Sequence, residues 1–156
     1  MPIEIDLTQH HPIRSIGLTK VVDCVQAAGF CSPEWHTTAS YNKRFQWAHS
    51  EPEHNLYLFN LWSHEIELQD GRIVCNANWR TVAEVVAAKQ RHKAVNADMF
   101  ACAAHQRNSP TRVVILDGVT QDNGNRQAEH RNLDPLTWRV THYCMSTGIA
   151  RFVRGV

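Results

Sequence analysis

A chain of 156 residues with 43% hydrophobic and 20% charged residues has the size and make-up of one folded domain, which excludes a disordered chain and a fibrous repeat. Its 16 Lys and Arg against 15 Asp and Glu leave a net charge of +1, so no overall field steers it to nucleic acid or an anionic membrane. Any such footprint must be a local patch. The 5 cysteines are an odd, scattered set, as expected for small buried hydrophobes in a reducing compartment. The start Met1-Pro-Ile-Glu-Ile-Asp6 lacks a basic region followed by an apolar run, and no stretch approaches the roughly 18 apolar residues of a membrane helix. A cytoplasmic chain with no membrane partner is expected.

Residues 1–14 read as an extended N-terminal segment. Leu18, Val21, Val22, Val25 and Ala28 recur at helical spacing, and Gly29-Phe30 looks like a glycine C′ cap, so a short helix is predicted over Thr19 to Ala28. Cys31 to Glu53 is polar and aromatic, punctuated by Pro33 and Pro52, and reads as a long surface segment. Asn55 to Trp62 is apolar on both alternating faces, the pattern of a central strand. Ile66 to Leu68 and Arg72 to Cys75 flank Asp70-Gly71, a hairpin signature. The alanine-rich run from Thr81 to Gln106 predicts one long helix. Arg112 to Leu116 is a second buried strand, Gln121 to Asn132 a polar, mobile loop, and Trp138 to Tyr143 with Ile149 to Val153 a closing hairpin. Without βαβ alternation, this order predicts a single α+β domain with a mixed or antiparallel sheet packed against one long and one short helix.

Ten histidines call for a metal test. Cys24, Cys31 and His36 lack the paired two-to-four spacing of structural zinc sites, and the histidines form no paired Glu-x-x-His array, so no metal or other cofactor is expected. His64-Glu65 at a strand end is an acid/base candidate, with His142 beside Cys144 as a further one, but nothing orients them as a catalytic set. Trp35 to Trp62 carries the most distinctive chemistry: Trp35, Tyr41, Trp47 and Trp62 are interleaved with His36, Lys43 and Arg44. Such a set suits stacking a base in a pocket while cations hold phosphate.

Ala28-Gly-Phe30, Phe45-Gln-Trp47, Leu58-Phe-Asn-Leu-Trp62, Arg112-Val-Val-Ile-Leu-Asp-Gly118 and Arg131-Asn-Leu-Asp-Pro-Leu-Thr-Trp138 form a pattern that continues through Thr147-Gly148 to Arg154-Gly155. From Val21 onward it resembles a poorly characterised bacterial domain found upstream of HNH nuclease domains in restriction-like proteins. The resemblance implies a recognition module that reads DNA, modified bases included, while a separate nuclease or other chain cuts. The HNH histidines and zinc cysteines are absent, so cleavage is not carried over. The expected function is therefore DNA binding without catalysis; the alternatives are a small hydrolase of nucleotides or nucleic acid using His64, Glu65 and His142, and a protein-interaction domain.

Overall fold

The computed structural model describes residues 3–5, 13–15, 17–31, 46–120 and 126–156. Two strands with apolar side chains on both faces form the centre of the sheet: β4 (Leu56–Trp62) runs parallel to β7 (Pro110–Thr120), with Leu58 opposite Arg112 and Trp62 opposite Leu116. Tyr57, Phe59, Leu61, Val113 and Ile115 enter the main core, while Leu58, Val114 and Leu116 enter a second core on the other face. Strands apolar on both sides must be covered on both sides, and helices do so here.

The eight-stranded sheet runs β3-β4-β7-β9-β10-β6-β5, with β8 also pairing β7. The remaining members are β3 (Ala48–Glu51), β5 (Ile66–Gln69), β6 (Arg72–Ala77), β8 (Arg126–Leu133), β9 (Trp138–Tyr143) and β10 (Ala150–Arg154). Every described pairing in it except β4–β7 is antiparallel, so the sheet is mixed. A separate two-stranded ribbon joins β1 (Ile3–Ile5) to β2 (Ile13–Ser15) within the N-terminal segment. The fold is α+β, and among the described residues no helix is long and apolar enough to cross a membrane.

Helix α1 (Val21–Ala27) buries Cys24 and Val25 in the second core. It ends as predicted: Gly29 takes φ +103, its N–H donates to the Gln26 carbonyl (3.0 Å) and the Phe30 N–H to the Val25 carbonyl (3.2 Å), the paired bonds of a Schellman cap. Asp70 and Gly71, both at positive φ (50° and 77°), make the turn between β5 and β6.

The run predicted as one helix is two. Helix α2 (Trp79–Val85) stops where Val86 turns extended, and α3 (Arg91–Gln106) begins after a single 3-10 turn. In one straight helix the 18 residues from Arg80 to Asp98 would span about 27 Å. Their side chains instead meet at 3.2 Å, so the chain doubles back between them. Alanine composition favours helix on either side of the break but carries no signal for it, since neither Gly nor Pro stands there. The doubling back lets α2 and α3 both cover the main core. Ala94, Ala97, Ala101 and Ala104 are all buried, and their small side chains let α3 lie close to the sheet. Against them stack Phe59, Trp79 and Phe152, with ring centroids 4.9–5.8 Å apart.

The polar stretch predicted as a loop over Gln121 to Asn132 is also corrected. From Arg126 onward it is β8, held in register against Val114 to Thr120. Its polar residues are those of an edge strand with a wet face, and polarity alone did not distinguish the two. The surface segment predicted over Cys31 to Glu53 likewise contains β3, which buries Ala48, His49 and Glu51.

Candidate functional site

The densest positive charge among the described residues lies where the predicted helix breaks. Lys89, Arg91, His92 and Lys93 fall within five positions, on the 3-10 turn and first turn of α3. Lys89, Arg91 and His92 are exposed and Lys93 is half-buried. Burial, and then the Lys89 charge, lower the Lys93 ammonium pKa. No side chain caps the α3 N-terminus at Gln90 and no acid lies in its first turn. An uncapped N-terminus carries partial positive charge, which disfavours cations and favours anions. Arg91 is oriented by a hydrogen bond from Nε to the Ala83 carbonyl of α2 (3.1 Å).

Gln46 Nε2 lies 3.3 Å from His92 Nε2, at the start of α3. Lys43 and Arg44, three and two residues upstream of Gln46, lie outside the described residues, as do Trp35, His36 and Tyr41. The turn was missed in the sequence because it was absorbed into an uninterrupted helix, where Lys89 to Lys93 reads as a solvated face.

Trp47 is half-buried against the main core and Trp62 against the second, on opposite faces of β4. The two rings therefore do not line one pocket. Trp62 has His64 beside it, with ring centroids 6.1 Å apart. His64 Nε2 stands 3.7 Å from a Glu65 carboxylate oxygen, in an exposed pair on the turn between β4 and β5. His142 lies elsewhere: β10 and β6 separate its strand, β9, from β5. Trp62, just before His64, lies opposite Leu116 towards the end of β7, whereas β9 meets β7 only at its start, Arg139 opposite Pro110, and runs on from there to His142. His64, Glu65 and His142 thus share no cleft.

His142 instead lines a shallow cleft of about 480 Å³ with His105, Tyr143, Cys144, Thr147 and Ile149, where the end of α3 meets the β9–β10 turn. One wall is braced by a polar network. Arg80 donates from Nε to Asp98 (3.2 Å) and from Nη2 to the Tyr143 hydroxyl (3.2 Å), and that hydroxyl donates to Asp98. Burial first, and then the Asp98 carboxylate, push the Tyr143 hydroxyl up to about 12, so it stays a donor. The exposed Cys144 thiol is drawn down to about 6 by hydrogen bonding to Ser146 (Sγ to Oγ 3.2 Å) and then to Thr147. Cys24 and Cys75 are buried and their thiols raised, chiefly by desolvation. Cys144 is therefore expected to alkylate first in the folded protein, with a pH midpoint about 6, while Cys24 and Cys75 react only on unfolding. Mass-spectrometric mapping of iodoacetamide labelling across pH checks this, and a Cys144 midpoint near the ordinary thiol value of about 8.5 would contradict it.

Four arginines of the C-terminal third have partners within the fold. Arg112 donates to the Asp134 carbonyl, Arg131 to the Thr19 carbonyl, Arg139 to Asn108, and Arg154 is paired with buried Asp134. No family model, curated protein or solved structure matches the chain, so no relative stands behind its resemblance to the region upstream of HNH nuclease domains.

Proposed function

We propose that this domain is a DNA-binding recognition module that grips the phosphate backbone at the turn opening α3, through Lys89, Arg91, His92 and Lys93. One observation carries the reading: Lys89, Arg91, His92 and Lys93 are gathered at a helix N-terminus with no capping side chain and no acid in its first turn, where a polyanion is favoured. Gln46, which touches His92 at the same turn, follows in sequence the aromatic and basic stretch Trp35 to Arg44, a composition suited to stacking bases. Modified bases fit this division of labour, in which phosphate contacts position and stacking discriminates. Trp47 is held by the main core, which supports a packing role, so the phosphate grip does not depend on it.

Reversing Lys89, Arg91 and Lys93 to Glu should abolish duplex binding in fluorescence anisotropy at low salt. Lys93 is half-buried and Arg91 bonds the Ala83 carbonyl, so far-ultraviolet circular dichroism checks that the variant is folded. Unchanged affinity in the folded triple variant would remove the reading.

A second reading, a small hydrolase, is favoured by a different observation: Cys144 offers a thiolate at neutral pH in a cleft with His105 and His142. A covalent adduct with an electrophilic substrate analogue, lost in Cys144→Ser and absent from the triple charge variant's defects, would support it.

A further inference from the structure

We propose that Cys31, Glu51 and His54 form a binding site for a zinc-class divalent cation, with a thiolate, a carboxylate and an imidazole as ligands and one coordination position left to water. The ligand atoms of the three residues all lie within 4.8 Å of one another. Cys31 Sγ is 4.0 Å from His54 Nδ1, which is 3.9 Å from Glu51 Oε2. Tetrahedral zinc, with Zn–S of about 2.3 Å and Zn–N or Zn–O of about 2.0–2.2 Å, separates such ligands by roughly 3.3–3.6 Å. Each of these two edges must close by only about half an ångström, within the reach of side-chain rotation at two exposed residues.

Local structure brings the three together for separable reasons. Pro52 starts a 3-10 turn that continues to His54, and a single 3-10 turn places residues three apart on one side, so Glu51 and His54 face together. Asn55 in the left-handed conformation (φ 54) ends the turn and fixes the direction of His54. The Cys31 backbone N–H reaches the Glu51 carboxylate, 3.2 Å and 3.3 Å from its two oxygens, and so holds the carboxylate beside Cys31. Glu51 is 8% exposed, so its carboxylate lies in a setting where a cation is worth more than in water.

The donor set also fixes the chemistry. A thiolate and a carboxylate neutralise a divalent charge, and neutral imidazole adds none. A mixed sulfur, nitrogen and oxygen set of three suits zinc or cobalt over calcium or magnesium, which take oxygen ligands. Binding breaks the Cys31 S–H bond, forms the metal–sulfur bond and releases one proton to solvent, with no change of oxidation state. The sequence shows only a single Glu51-Pro-Glu-His54 step; Cys31 stands 20 residues upstream of Glu51, a separation outside the spacings by which zinc sites are recognised. The site is independent of the phosphate-binding turn, and its test reads the ion alone.

The full chain is reduced, freed of metal with a chelator and titrated with Co²⁺, then with competing Zn²⁺. The expected result is one Co²⁺ per chain, a sulfur-to-cobalt charge-transfer band and four-coordinate d–d absorption, all displaced by Zn²⁺. Cys31→Ser and His54→Ala should erase the charge-transfer band or weaken binding more than tenfold, Glu51→Gln should weaken it, and Cys144→Ser should leave it unchanged. Far-ultraviolet circular dichroism confirms folding of each variant; the exposed positions of Cys31 and His54 make these substitutions mild. Absence of a thiolate band, its persistence in Cys31→Ser or its loss in Cys144→Ser would overturn the site.

Discussion

Replacing Asp134 with Ala is expected to cost about 3–5 kcal/mol, a large part of the stability of a domain this size. Asp134 is fully buried and its carboxylate serves four donors: Arg154 Nε (2.6 Å) and Nη2 (2.8 Å), Trp138 Nε1 (2.8 Å) and the Leu136 backbone N–H (3.1 Å). Its own N–H donates to the Val113 carbonyl, so the residue joins β7 to the turn leading into β9. The loss is large because of what remains behind. The Arg154 side chain, only 9% exposed, would keep its charge with no counter-ion, and Trp138, at the bottom of the main core, would keep an unpaired N–H. Thermal unfolding should show a fall of about 6–20 °C, at 2–4 °C per kcal/mol for a chain of this length. Asp134→Asn, which keeps an acceptor but not the charge, should fall between the two. A loss under about 1 kcal/mol in Asp134→Ala would mean that the pair and the indole bond do not hold the β8–β9 corner.

Gly118→Ala is expected to cost about 3 kcal/mol for an unrelated reason. The β7–β8 register shifts at Asp117/Gly118, and there β8 crosses so close to β7 that a Cβ on Gly118 would stand 1.9 Å from the Gln127 carbonyl oxygen and 2.9 Å from its carbon. These are backbone atoms, so no side-chain rotation relieves the overlap; one strand must move. Hydrogen exchange should show protection lost along β8 before the rest of the sheet. Unchanged protection and melting temperature would place the bulge elsewhere.

The parts of this fold legible in the sequence are those whose signals are local. β4 and β7 were legible as strands buried on both faces because Leu58 and Phe59, and Val113 and Val114, alternate between two cores. The α1 cap and the Asp70-Gly71 turn were legible because positive φ selects glycine and few other residues. What the sequence hid depends on contacts distant in the chain. The break at Val86 is set by the docking of α2 and α3 on one core and by the meeting of Arg80 with Asp98, not by the residues at the break. Strand β8 takes its register from β7, so its Glu, His and Arg read as loop until that partner is in place.

The candidate sites divide in the same way. The aromatic and basic interleaving of Trp35 to Trp62 was visible as composition, but composition does not reveal that Trp47 and Trp62 face opposite sides of β4. The basic turn at Lys89 to Lys93 became visible only once the helix was broken there. His142 and Cys144 line one cleft, and His105, another of its lining residues, comes from the last turn of α3, which no local pattern reveals. Cys31, Glu51 and His54 meet across a separation that no short motif spans.

The salt dependence of duplex binding reads the number of phosphates held at the α3 turn. Three cations on phosphate, Lys89, Arg91 and Lys93, give log K against log salt a slope of about −2.7, and five, with Lys43 and Arg44 engaged, a slope of about −4.5. A fourfold rise in salt should therefore weaken binding by about 40-fold or more. A slope in that range for the unaltered protein is expected; no binding at low salt, or a flat slope, would contradict the phosphate grip.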